Sequence, residues 1–464
     1  MRSTQPTDRT LGSTSPGHAR SFGGPGAVVG AAAALAALVA AVGVVGADAL
    51  WLVPLGDRLV HGQLPRSIPY ATAPTSGWHD VPAGAELVFW SLYHALGGTR
   101  GLVVGQAVAA AAGFGFLARG LGREASAGAT LLVSVLVLAG SLPNVVVVSV
   151  ALFSLALWPL LLWLLESQTR SPSRRVWLSV PLLALWGNLH GEVLAGWALL
   201  ACYLALGRAR RSPWLSAGVL GGATVALFAN PALWHTPRYY WSVLHSEVAR
   251  QGSGLWAPLG SGGFDLVLVA VGAILLAAAL SGDIRIHLWE AVALLGLAAA
   301  TVHVARTGTW FLFLAAYPAA RSHRLRNPRS RPLALSTLGF AIGATALLVI
   351  GPTDPGSSSL AARAAHTGRP VLAEAILGEQ VALAGGRVWV DNPIDAFRPA
   401  DQSLYLDWLA GKARGDGALS HADYVLVEPR SIAGDRAAHN PSLVPVARSQ
   451  GAVLYRVGTS APDT

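Results

Sequence analysis

The chain of 464 residues has one cysteine, Cys202, and one lysine, Lys412. A single cysteine excludes a disulfide within the chain and any cysteine-based metal cage. Charge is also scarce: 12% of residues carry it, against the ~25% usual in soluble domains. A chain so poor in charge and 53% hydrophobic, with a mean hydropathy of +0.49, belongs in a bilayer. The formal charge of +9 comes almost wholly from arginine. These arginines sit in short connections between apolar runs, and no basic patch is interleaved with aromatics. Nucleic acid is therefore not expected as a partner, and membrane lipids are.

The apolar runs predict an all-α polytopic membrane protein with about eleven transmembrane helices. The first covers 27–47. The others lie near 101–118, 126–142, 145–165, 176–188, 190–207, 215–229, 263–281, 287–304, 307–320 and 333–351. Several are shorter than the ~20 residues of a straight span, so the pairs at 176–207 and 287–320 also read as hairpins or re-entrant segments. Residues 1–26 read as a disordered cytoplasmic tail. Arginine clusters at 119–123, 170–175, 208–211 and 321–331 all fall on the side of that tail, and excess arginine marks the cytoplasmic face. The expectation is a multi-pass protein of the cell inner (plasma) membrane with its N-terminus inside. An odd number of spans places 352–464 outside.

That last part changes character. After a linker, GPTDPGSSS, it reads as a small extracytoplasmic α/β domain. Its expected helices are VLAEAILGEQVALAG and DQSLYLDWLAG, and its expected strands are RVWVDNP, DYVLVEP and AVLYRV. Asp391 and Asp395 follow a strand, where ligands often bind, but turn chemistry explains them equally well.

The first polar loop, 48–86, is long for a chain with otherwise short connections. It gathers Asp48, Trp51, Asp57, His61, Trp78, His79, Asp80 and Glu86 at one membrane face. Long structured loops at a fixed face tend to carry function. Other ionisable residues fall at the same face, including His190, Glu192, His303 and Arg306. Such groups near a bilayer cost about 2.5–3.5 kcal/mol each on insertion scales and mark functional sites or solvated loops.

The residues D48-A-L-W51, G62-Q-L-P65, T75-S-G-W78-H-D and the stretch from E86 through L102 resemble the first-loop pattern of the GT-C superfamily of membrane glycosyltransferases. The likeness is to bacterial members related to dolichyl-phosphate-mannose-type transferases. W186-G-N-L-H190-G191, N230-P, R306 and Y317-P resemble later segments of that family, and the C-terminal domain resembles the extracytoplasmic domain of some members. The resemblance implies a polyprenyl-phosphate sugar donor and an extracytoplasmic acceptor, which is a glycan, a lipid or a protein.

Transfer with inversion needs a carboxylate to take the acceptor proton, and cations to hold the departing phosphate. Asp48, expected at a helix end, is the candidate general base; it also reads as a charge marking the span boundary. Glu86 is the second catalytic candidate, or a carboxylate favoured by a helix N-terminus. His79 and Asp80, with Glu86, are candidates for substrate binding or for a divalent cation. His190 and Glu192 form a second candidate group, or a polar hairpin tip. Arg306, with His303, suits a phosphate or snorkels to lipid headgroups. Arg238, Tyr239 and Tyr240 are candidates for the lipid entry. A transporter or flippase-like protein and a non-catalytic envelope-assembly protein are the alternatives. Charges crowded at one rim, with no internal repeat, favour the enzyme.

Overall fold

The computed structural model describes residues 25–75, 77–281, 286–322 and 355–458. The expected span at 333–351 and nearly all of the expected tail lie outside them. The described residues are mainly helical, with one small mixed sheet near the C-terminus. Thr99–Leu121 and Leu152–Arg170 are long and apolar enough to cross a bilayer. Five more apolar helices are shorter: Gly26–Ala41, Ala127–Gly140, Val193–Arg208, Asp265–Leu280 and Leu288–His303. They pack into one core with Gly308–Arg321, whose face from Trp310 to Ala320 is almost entirely buried.

Two expected spans are interrupted by the same feature. The first run ends as a helix at Ala41, not at 47, and the run at 145–165 leaves the helix Leu142–Val146 at Val147 and is helical again only from Leu152. Between them Val44–Val45 (β1) pairs in parallel with Val147–Val148 (β2). Successive β-branched valines favour this extended ladder over a helix. The approach requires a glycine: a Cβ on Gly43 would lie 2.2 Å from the Val146 carbonyl oxygen. Asp48 therefore follows a short strand rather than a helix end.

Near the C-terminus, Pro370–Ala373 (β3), Arg387–Val388 (β4), Tyr424–Val427 (β5), Leu443–Arg448 (β6) and Val453–Val457 (β7) form one sheet in the order β4-β3-β5-β7-β6. The β4-β3-β5 part is parallel, and β7 runs antiparallel to both β5 and β6. Two local expectations change. Part of the expected linker is helical, Pro355–His366, and the first residues of the expected helix VLAEAILGEQVALAG form β3, leaving Ala375–Leu383 as the helix. The buried run Pro370–Ala373 is a central strand, and short apolar runs do not tell strand from helix by periodicity.

The first loop completes this sheet. The Thr72 amide donates to the Val388 carbonyl at 2.8 Å, and the Val388 amide donates to the Tyr70 carbonyl at 2.9 Å. Leu55, Ile68, Tyr70 and Phe89 of the first-loop region share a buried core with Leu360, Val371, Leu377 and Val388. Fully burying such side chains contributes about 1.5–3 kcal/mol each. The loop and the C-terminal sheet are thus packed as one body over one end of the helices.

Candidate active site

A cavity of about 470 Å³ opens where the first loop, one end of the helices and the C-terminal sheet meet. Its walls are mostly apolar and aromatic, with Trp78, Tyr239, Tyr240, Leu244 and Trp256 among them. A few polar groups converge on it: Asp48, His190, Glu192, Arg306, Asp391 and Asp395. Size and lining are those of a ligand site.

Asp48 sits at φ +70°, a left-handed conformation that costs a non-glycine residue about 1–3 kcal/mol. The conformation is held from outside. Glu379, fully buried on Ala375–Leu383, accepts the Asp48 amide at 2.6 Å, the Leu50 amide at 2.7 Å and the Ala49 amide at 3.2 Å. Three amides turned inward on one carboxylate form an anion nest. Asn392 donates its side-chain amide to the same carboxylate at 2.6 Å. The Asp48 carboxylate itself accepts Trp51 Nε1–H at 2.8 Å. Burial raises its pKa, opposed by the Trp51 bond and by the positive fields of His190 and Arg306. A carboxylate with a raised pKa that still lines a cavity suits proton abstraction.

His190 and Glu192 come from the turn between Ser179–Gly187 and Val193–Cys202. His190 Nδ1 lies 2.7 Å from Ser154 Oγ and 3.3 Å from Glu192 Oε2, and Trp186 Nε1–H donates to Ser154 at 2.9 Å. Burial alone would raise the Glu192 pKa; His190, Ser154 and Arg306 outweigh it and hold it below the ordinary value. Arg306 lies 5.2 Å from the Trp256 ring centroid, a cation–π geometry. Its Nε is buried with no protein partner, so it has a donor free for a ligand.

Four of the nine sequence-derived candidates meet here: Asp48, His190, Glu192 and Arg306. The other five do not line the cavity. Glu86 and Asp80 face each other behind it, both buried. Burial and the Asp80 charge push Glu86 well above the carboxylate range, and burial pushes Asp80 up to about 7. Two buried carboxyls this close do not both ionise. His79 stacks on His235 with ring centroids 4.2 Å apart. Arg238 and His303 are exposed. Among the described residues, no three His, Cys, Asp or Glu side chains are grouped to hold a metal.

Sequence reasoning did not assign Glu379, and read Asp391 and Asp395 equally as ligand-binding residues after a strand and as turn residues. Burial now separates them from ordinary turn carboxylates: Asp391 is 1% exposed, and neither of its oxygens has a protein partner. Burial raises Asp395 to about 6. A glutamate inside the apolar pattern of 375–383 was the one available signal for Glu379.

No protein-family model matches the chain, and no curated protein does. Solved structures do. The chain is similar to the arabinofuranosyltransferase AftD from mycobacteria, at 16% identity and a TM-score of 0.54 over 94% of this chain. It spans only 42% of that protein. It is also similar to ArnT from Cupriavidus metallidurans, solved bound to undecaprenyl phosphate. There the identity is 15% and the TM-score 0.57, over 93% of this chain and 97% of the other. The fold is the one these two proteins share. The matches cover nearly all of this chain, so the helical body and the small sheet both belong to that shared fold.

Proposed function

We propose that the chain is a membrane glycosyltransferase that moves a sugar from a polyprenyl-phosphate donor to an extracytoplasmic acceptor. The observation that carries this reading is the placement of Asp48 and Arg306 on one apolar-walled cavity. The acceptor hydroxyl oxygen bonds to the anomeric carbon and gives its proton to Asp48. The carbon–oxygen bond to phosphate breaks, and its electron pair leaves with the polyprenyl phosphate. Arg306 offsets the charge on that phosphate; a planar guanidinium matches its oxygens. Attack and departure on opposite faces invert the anomeric centre. His190, paired with Glu192, supplies a second positive field near Asp48.

The fold shared with ArnT, which was solved bound to undecaprenyl phosphate, supports the donor class. The arginine-rich connections opposite the cavity support a cytoplasmic N-terminus and an extracytoplasmic site. The cavity lining includes residues of Thr236–Leu244, with Trp241 and Leu244 exposed, as expected of a segment lying at a lipid interface. Membranes holding wild-type or Asp48→Asn protein are incubated with radiolabelled polyprenyl-phosphate sugars and a cell-envelope extract. Transfer by the wild type and its loss in Asp48→Asn at equal expression is the expected result. Transfer that survives in Asp48→Asn removes Asp48 from the base role. No transfer from any donor by the wild type counts against the transferase reading.

A further inference from the structure

The structure assigns a second role to the cavity wall contributed by the C-terminal domain. We propose that the loop 390–395, through Asp391 and Asp395, is the acceptor subsite, and that the acceptor presents a hydroxyl-rich sugar unit to it. This rests on the transferase reading for the word acceptor, but the sugar-binding claim stands on its own observations.

Asp391 is the first of these. It is 1% exposed, it lines the cavity, and neither carboxyl oxygen has a protein partner. A buried polar group left unpaired is costly, and more so if charged. Buried polar atoms in native proteins are paired as a rule, so each exception calls for a ligand or a water. Asp395, half-buried four residues later, lines the same wall.

The chemistry of the two groups selects the ligand. Carboxylates accept hydrogen bonds and repel phosphate, so this wall does not serve the donor's phosphate; Arg306 marks that end. A neutral carboxyl both donates and accepts, and so does a sugar hydroxyl. Burial, with the charge of Glu379, holds the Asp391 pKa well above the carboxylate range, which favours that neutral form. Aromatic faces flank the carboxyls: Trp78 and Tyr405 line the cavity too, and suit the apolar C–H face of a sugar ring. A divalent cation fits poorly, because no third ligand joins the two carboxylates among the described residues.

The loop is also built to stay in place. Tyr70 O–H donates to the Asn392 carbonyl at 2.7 Å, and the Asn392 side chain is held by Glu379. The second contact comes from the helix that also positions Asp48. The acceptor subsite and the base are thus tied to one anchor, and a bound hydroxyl would arrive at a fixed place relative to Asp48.

The test is binding, not turnover. Full-length protein in lipid nanodiscs is titrated with methyl mannoside, methyl galactoside and methyl arabinofuranoside, followed by tryptophan fluorescence and calorimetry. Octanol and a serine-threonine peptide are the non-sugar probes. At least one glycoside should saturate. Asp391→Asn and Asp395→Asn should each weaken it tenfold or more. If Asp391→Asn fails to fold, Asp395→Asn carries the test. Saturation by octanol or the peptide alone, no saturation by any glycoside, or equal binding by both carboxamide variants overturns the proposal. Glycoside binding that depends on Asp391 or Asp395, in a protein that transfers nothing, leaves the sugar subsite standing and removes the transferase reading.

Discussion

The Glu379 carboxylate grips the backbone on both sides of Ala49, accepting the Asp48 amide at 2.6 Å and the Leu50 amide at 2.7 Å. The two partners are 331 residues apart in sequence. Their contact ties the candidate base to the C-terminal domain and holds it in a left-handed conformation. Glu379 does not itself line the cavity and is a positioning residue. Glu379→Ala removes every acceptor of the nest, and the expected outcome is a fall in kcat of about 10–100-fold, from hydrogen bonds to a charged group worth about 1.5–3 kcal/mol. The donor KM should change little. Glu379→Gln keeps one acceptor oxygen and should recover part of the loss. A loss confined to folded yield, with normal kcat per folded molecule, would reduce Glu379 to a structural role.

The same residue sets a pH dependence of stability. Burial pushes Glu379 up from its ordinary 4.5 to about 7, opposed by Asn392 and by the amides of Asp48 and Leu50. Between these two values the folded chain holds a proton that the unfolded chain has lost. Stability from this group is therefore present below about 4.5 and declines as pH rises through about 7. Thermal melts of wild type and Glu379→Gln between pH 4.5 and 8 should diverge in that window, with the wild type losing more. Parallel curves would count against the raised pKa.

Trp51 donates to Asp48 Oδ1 at 2.8 Å, and this bond favours the ionised base. Trp51→Phe removes the donor and keeps much of the ring. The Asp48 pKa should rise, and because the base must be ionised to act, the acid limb of the kcat/KM profile should move to higher pH. An unmoved limb with a uniformly lower rate would mean that Trp51 matters only through packing.

Arg306 has a buried Nε without a protein partner and a guanidinium packed on Trp256. Arg306→Ala should raise the KM for the polyprenyl-phosphate donor about 10–100-fold, the value of a charge-assisted contact. Arg306→Lys should recover less than half of that in free energy, because an ammonium lacks both the planar fork and the stacking face. Full recovery by lysine would leave only a point-charge role. Initial rates against donor concentration decide between them.

Much of this architecture is legible in the sequence, for identifiable reasons. Long apolar runs and arginine bias report on the bilayer directly, and the helices at 99–121 and 152–170 sit close to where the runs place them. The shift at Asp48 is local: β1 and β2 form because two pairs of valines meet across about a hundred residues, which periodicity within one segment does not register. The candidate site divides in the same way. Asp48, His190, Glu192 and Arg306 stand out because each breaks an apolar context near one membrane face. Glu86 does so as well, yet it turns away to share a buried pair with Asp80, since a helix carboxylate has no sequence signal for the direction it faces. Glu379, Asp391 and Asp395 acquire their meaning only when the C-terminal sheet docks on the first loop.

Gly378 offers a test of that docked geometry. A Cβ there would lie 2.5 Å from Asp391 Oδ2 and 2.8 Å from its Cγ. The neighbouring atom is the end of a short side chain held in a buried loop, so it has little room to yield. Gly378→Ala should cost about 1–3 kcal/mol of stability through overpacking, and should displace Asp391 from the cavity wall. Asp391→Ala removes the atoms in conflict. The double variant Gly378→Ala/Asp391→Ala should therefore be more stable than the sum of the single effects predicts, by at least 0.5 kcal/mol, the usual floor for residues in contact. Additive effects in denaturation of the detergent-solubilised protein would mean that Asp391 does not lie against Gly378, and the acceptor wall drawn from it would have to be redrawn.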